Sequence, residues 1–295
     1  METIRDYMYH NCSELNYFHF DDRPGKIFRG LEHCRSTIAV AERGEREPVV
    51  RTSKYHRWYD RDRPTLFENL KTVDIKIAVG SDPIPKIGSE TEKSIMGKLN
   101  LVSEASMLGD ESDGNTRLWW YRTPGNYIHA HNESHVPRCE YATGEACAKL
   151  PEHYKSLYVP LSDSDIVLGL LNSSLFYWWW TVWSTGRNVD KQLICEFPID
   201  VQNFPNKLKH KLSPLVEDLM VDFDRHSYKR LSTLGHHDAF ITEYWPGSSK
   251  AIIAKIDCIF AEYYRLTDEE RDFVINFDAD IRNSDLAKHN KLDIN

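Results

Sequence analysis

The stretch that most constrains the fold is Ile166 to Trp183, IVLGLLNSSLFYWWWTVW, which holds no charged residue and ends in four tryptophans, Trp178, Trp179, Trp180 and Trp183. A run of this length and ring content demands burial. It just reaches the length of a membrane span. Asn172-Ser173-Ser174 interrupts it and acids precede it, so the pattern predicts a buried core helix capped by Ser162 or Ser164. The character then changes to Ser184-Thr185-Gly186-Arg187-Asn188, with Asp190 and Lys191, and returns to the core at Phe197-Pro198-Ile199. A glycine-hinged loop on such an anchor presents its side chains firmly.

At 295 residues, 41% hydrophobic and 28% charged, the chain has the composition of a soluble globular protein. Six scattered cysteines are no disulfide framework, and METIRDYMYHNC has no apolar signal core, so a cytoplasmic location is expected. Net charge is −8, which excludes a uniformly basic surface. Between Arg23 and Arg63, however, eleven Lys/Arg face six Asp/Glu, a local +5 against −13 for the rest. That asymmetry fits either a side facing a polyanion or a solvated charged face.

Along the N-terminal half, Ser36 to Val40 reads as a core strand and Thr37 to Thr52 as a hairpin turning at Gly44 to Pro48. Asp74 to Val79 is a further strand, Glu90 to Leu101 a helix and Met107 to Asn115 an acidic loop. Thr116 to Tyr121 and Tyr127 to His131 flank Pro124-Gly125-Asn126 as a hairpin, and Lys155 to Leu161 adds a strand. Lys207 to Leu231 reads as a long amphipathic helix with Pro214 near its start, and Gly235 to Gly247 as a loop. A helix follows Ser248 or Ser249. Thr267-Asp268-Glu269-Glu270 is a capping box, and Asn283 to Asn295 a polar tail. The predicted class is α+β, with a strand-rich part over 1–160, containing hairpins, packed on a helical part over 161–295 of the same domain.

No glycine-rich phosphate loop, Gly-x-Ser-x-Gly elbow or paired carboxylates of catalytic spacing occur. His129, His131, His135, Cys139 and Cys147 cluster in sequence but lack zinc-site spacing, so no metal is assigned. The strongest candidate is the loop from Ser184 to Lys191. Arginine forks onto phosphate or guanine and asparagine pairs with adenine, while Gly186 reads equally as a plain helix C-cap.

The order of several short segments resembles the C-terminal target-recognition region of adenine-specific DNA methyltransferases from restriction–modification and phage-exclusion systems. The segments are Arg35-Ser36-Thr37-Ile38, Thr52-Ser53-Lys54-Tyr55 through Trp58 to Arg63 with Leu66-Phe67, and Trp120-Tyr121-Arg122 with Tyr127-Ile128. They continue with Leu170 to Trp178, Thr185-Gly186-Arg187, Phe197-Pro198-Ile199, Ile256-Asp257, Leu266 to Glu270 and Asn276-Phe277-Asp278. The resemblance spans roughly Arg23 to Arg282. The family's catalytic Asn-Pro-Pro-aromatic and Phe-x-Gly-x-Gly motifs have as nearest strings only Ser81-Asp82-Pro83-Ile84 and Phe28-Arg29-Gly30.

The resemblance therefore implies sequence-specific recognition of duplex DNA and no catalysis. Arg51, Lys54, Arg57, Arg61 and Arg63 would contact phosphates. Gly186, Arg187 and Asn188, with Arg122 and Tyr127 of the hairpin, would lie at the bases, and Lys191 completes the DNA-binding set. No cofactor is expected in this chain; S-adenosylmethionine would sit on a catalytic methyltransferase domain or subunit, the expected partner, with no membrane involved. The alternative is an assembly module of a methyltransferase or defence complex that does not itself touch DNA.

Overall fold

The computed structural model describes residues 2–30, 34–77, 83–102, 109–111, 114–147, 152–234 and 236–283. Residues 78–82, which include the end of the strand expected over Asp74 to Val79, residues 107, 108, 112 and 113 of the acidic loop, and the tail beyond Asn283 lie outside them. The protein is α+β, strand-rich in its N-terminal half and mostly helical in its C-terminal half. It divides into two compact units. Unit 1 is Met1–Gly97 with Trp179–Gly186; unit 2 is Lys98–Trp178 with Arg187–Asn295.

Unit 1 opens with helix α1 (Glu2–Asn11), which runs straight into strand β1 (Cys12–Phe20). With β2 (Ser36–Arg43), β3 (Val49–His56) and β4 (Thr72–Ile75) it forms a sheet ordered β2-β1-β3-β4. The expected hairpin between β2 and β3 does not form. Strand β1 lies between them, antiparallel to β2 and parallel to β3. Strand β1 buries Ser13, Leu15, Tyr17 and His19 in strict alternation, and two of the four are polar. His19 is satisfied by Thr37 Oγ1 at 2.9 Å and Thr52 Oγ1 at 3.1 Å. Strand β2 is an edge strand and not the core strand its apolar residues suggest; Val40 is 53% exposed. Helix α2 (Glu90–Leu99) starts as expected, on a reciprocal cap. Glu92 N donates to Ser89 Oγ, and Glu92 Oε2 accepts from Gly88 N at 2.8 Å.

Unit 2 holds two sheets. Strands β5 (Asn115–Tyr121), β6 (Ala130–His131) and β8 (Tyr154–Pro160) are ordered β6-β5-β8. The expected hairpin and following strand are present, with Trp119 opposite His131 and Tyr121 opposite Tyr154. The second sheet is β7-β10-β9, from β7 (Cys139–Tyr141), β9 (Ser227–Leu234) and β10 (His237–Tyr244). Its hairpin corrects two expectations, since the long helix stops at Arg225 and the segment after Gly235 is a strand. Cys139 and Cys147 form a disulfide with Cα atoms 5.3 Å apart, closing one short loop beside β10.

The apolar run folds as two helices, α3 (Ser164–Leu171) and α4 (Ser174–Trp183), broken at Asn172-Ser173. A 3-10 turn at Leu161–Asp163 leads into α3, and neither Ser162 nor Ser164 caps it by a side chain. At the break Ser173 Oγ accepts from Phe176 N, and the buried Asp257 carboxylate accepts from Ser174 N at 2.7 Å. The first turn of α4 is thereby capped and its dipole offset. Burial holds the Asp257 carboxyl above its ordinary range. Among the described residues no helix is long and apolar enough to cross a membrane.

Short α5 (Lys191–Cys195) precedes α6 (Asn206–Arg225), with Pro214 inside α6 on its exposed side. Helix α7 (Lys250–Tyr263), α8 (Asp268–Ile275) on its Thr267–Glu270 capping box, and α9 (Ala279–Arg282) are the last elements among the described residues. Helices α3 and α6 pack closely at Gly169. A Cβ there would stand 3.0 Å from Leu212 and 3.2 Å from Val216, tighter than side chains normally approach.

Candidate functional site

Strand β5 ends as Trp120-Tyr121-Arg122, and alternation sends Trp120 and Tyr121 to opposite faces. Trp120 is buried and its indole N–H donates to Val189 O at 2.9 Å. Val189 N in turn donates to Arg122 O at 2.7 Å. Thr123 Oγ1 donates to Asn188 Oδ1 at 3.1 Å, and Arg122 pairs with Asp190 at 3.1 Å. Four links thus fasten the segment 188–190 to the end of β5, and Val189 is its buried peg. The adjoining groove, about 430 Å³, is lined by Arg122, Lys155 and Lys191 against one acid, Asp190. Lys155, Arg187 and Lys191 are exposed, and none of the three is in an ion pair among the described residues. Of the residues assigned to DNA contact, Arg122, Asn188 and Lys191 come together here, with Arg187 next along the chain.

Tyr127 and Gly186 are placed differently. Tyr127 is buried, donates its hydroxyl proton to Asn283 Oδ1 at 2.7 Å, and carries the Arg282 guanidinium 4.2 Å above its ring. Gly186 belongs to unit 1 and has φ +75. What its missing side chain admits is this chain's own Tyr55; a Cβ would fall within 2.6 Å of Tyr55 Cζ.

The basic segment of unit 1 spends much of its charge internally. Arg51 pairs with Glu14 at 2.6 Å and with Asp74 at 2.9 Å across the sheet. A hydrogen bond from Asn16 and the Arg51 charge hold the Glu14 carboxyl below its ordinary range. The Arg57 side chain is 10% exposed and lies 3.5 Å from Asp21. Arg63 donates to Lys26 O and Ile27 O, pairs with Asp60, and sits 4.9 Å over Trp58. Lys54 is half-buried on β3. Arg61, 79% exposed over the Tyr59 ring, is the one of the five that stands in solvent.

Sequence reading passed over the acids that organise this end of the sheet. Arg35 lies 3.4 Å from both Asp21 and Asp22 and donates to the Tyr55 hydroxyl at 3.0 Å. Burial drives the Asp21 carboxyl up, against the pull of Arg57 and Arg35. The adjacent Asp21-Asp22 after β1 was the available signal. Lys86 is a second omission. Its backbone N and its Nζ both donate to Val182 O, capping the end of α4, and burial lowers its amine to about 8.

The His/Cys cluster does not converge. His129 Nδ1 and His131 Nε2 share a proton at 2.8 Å, His135 pairs with Asp224, and the cysteines bond to each other. Among the described residues no group of three or more His, Cys, Asp or Glu is arranged to hold a metal.

No protein-family model, curated protein or solved structure matches the chain. The methyltransferase resemblance rests on the order of its motifs alone.

Proposed function

We propose that the chain reads duplex DNA for an adenine-specific modification methyltransferase whose catalytic part, with its S-adenosylmethionine, lies elsewhere. The observation that carries this reading is the groove at the end of β5. Arg122, Lys155 and Lys191 line it, Arg187 adjoins it in sequence, and the acid within it is already paired to Arg122. Phosphates are drawn by Lys155, Lys191 and Arg187, and the tethered Asn188 and Arg122 supply the amide and guanidinium that read base edges. Of the five unit 1 cations first expected at phosphates, Arg61 is the most exposed, with Asp62 at 3.7 Å, whereas Arg51, Arg57 and Arg63 are held in internal pairs.

The test is binding of the whole chain to a randomised duplex pool at two salt concentrations. Removing one phosphate-binding cation lowers the slope of log K against log salt by about 0.9, so Lys155, Arg187 and Lys191 together account for up to about 3. The triple alanine variant is expected to lose most of that slope, and Arg187→Ala alone to weaken binding. An unchanged slope in the triple variant would sink the reading. Co-purification with a methyltransferase subunit, without DNA affinity, would establish the assembly role instead.

A further inference from the structure

Unit 2 contains a second feature, separate from the groove in chemistry. A cavity of about 490 Å³ opens beyond the other face of the β5 end, within the range of small-molecule sites. Its walls include the aromatic side chains of Tyr121, Tyr127, His129, Tyr154, Tyr244 and Trp245. Tyr121 stacks on His129 at 5.3 Å and 12°, and meets Tyr154 edge-on at 5.2 Å. Such walls select a flat π system.

Of the charged groups in these walls, Arg230, Glu243 and Arg282 are already engaged, while the exposed Glu152 is in no ion pair among the described residues. Arg230 is paired with Glu243, which also accepts from Tyr228 at 2.5 Å. Arg282 donates to Asn126 O and Phe277 O and is sandwiched by the Tyr127 and Tyr177 rings. An ionic guest finds no unspent countercharge on either of these groups. Asn126, Ser232 and Thr242 add hydrogen-bonding groups at the walls.

His129 supplies a directional one. Burial lowers it to about 3, so it is neutral and carries one proton. It shares the 2.8 Å bond with His131, whose Nδ1 is buried without a partner. If His129 donated, His131 would carry its proton on that orphaned Nδ1, a buried N–H with nothing to accept it. An unfilled lone pair is the cheaper omission. The proton in the shared bond therefore belongs to His131 Nε2, and His129 keeps its own on Nε2.

We propose that this cavity binds a neutral planar heterocycle of the nucleobase class, stacked on the tyrosines and hydrogen-bonded through His129 and the polar wall groups. The site does not depend on the DNA reading. A free nucleoside and a base extruded from a duplex present the same ring.

The probes are adenosine, guanosine, cytidine and thymidine, titrated calorimetrically into the full chain. Saturable binding of at least one is expected. Ser232→Trp, which fills the cavity from the β9 side, and Tyr121→Leu, which removes a stacking face, are each expected to weaken it at least tenfold with the urea midpoint retained. A duplex with one unpaired base that competes with the nucleoside would identify the extruded base as the guest; failure to compete would identify the free nucleoside. The proposal is overturned if no nucleoside binds saturably, if both variants bind as the parent does, or if choline binds in preference to every nucleoside.

Discussion

Asn172 stitches the break in the apolar run to the edge of a sheet, and its replacement by leucine tests whether that stitch holds the unit together. Strand β6 is the free edge of β6-β5-β8. Tyr121 N bonds to His129 O, so residues 121 and 129 are a hydrogen-bonded pair. Ala130, one residue on, turns its N–H and C=O outward. The Asn172 side chain meets both, accepting from Ala130 N at 2.9 Å and donating to Ala130 O at 3.0 Å. Both residues are buried, Ala130 at 0% and Asn172 at 2% exposure. Leucine has the shape of asparagine and leaves no large cavity, so its cost is the two orphaned backbone groups. At about 1–3 kcal/mol each, the expected loss is about 4 kcal/mol. Leu168 O adds little, because Asn172 N still donates to it. Urea unfolding measures the loss, and hydrogen exchange at Ala130 localises it. Asn172→Asp separates hydrogen bonding from shape. A protonated aspartic acid can serve both Ala130 groups, whereas the carboxylate opposes Ala130 O. Its deficit relative to the parent at the same pH is therefore expected to shrink from pH 7.5 to pH 5. A leucine variant within about 1 kcal/mol of the parent would refute the argument.

Gly186→Ala places a Cβ at φ +75 against Tyr55; a loss of about 2 kcal/mol is expected in urea unfolding, and an unchanged midpoint would deny the strain. Trp120→Phe removes the bond to Val189 O and should cost about 1 kcal/mol, with faster exchange at the Val189 amide; exchange at the parent rate would mean the loop is held by other links. Burial lowers His19 to about 3 and His56 to about 4, both below the ordinary 6.5. The unfolded chain therefore takes up protons first as pH falls. This stability is complete above pH 6.5 and is lost from there down through the folded values, at about 1.4 kcal/mol per pH unit for each histidine. Urea midpoints should fall between pH 6.5 and pH 5, and His19→Gln should flatten the decline; a flat parent profile would contradict the assignment.

What could be read from the sequence was decided by where hydrophobicity and geometry agree. The capping box at Thr267–Glu270, helix α2 and the β5–β6 hairpin announce themselves through local chemistry and form as expected. Strand β1 does not, because its inward face includes Ser13 and His19, which become core residues only when Thr37 and Thr52 arrive from other strands. Strand β2 misleads in the opposite sense: its β-branched residues suit a strand at any position in the sheet, and nothing local records that β1 will take the centre. The β9 segment carries leucines at spacings that prolong the α6 period. Its strand state is fixed by Tyr228 and Arg230 meeting Glu243 of β10, a pairing no window over α6 contains.

The candidate site divides on the same line. Arg187, Asn188 and Lys191 stand out in sequence because the change from tryptophans to Gly-Arg-Asn is abrupt. Arg122 is reached only through the hairpin. Lys155 offers no signal at all, since its place opposite Trp120 is a matter of register. The basic count from Arg23 to Arg63 overstates the free charge, because a sheet brings acids from neighbouring strands against the arginines: Glu14 and Asp74 flank Arg51 on both sides. Net local charge in a sequence measures attraction for a polyanion only after such pairs are subtracted. That subtraction takes out Arg51, Arg57 and Arg63, three of the five cations expected at phosphates, and moves the weight of the DNA reading to a groove whose cations are few and mostly unspent.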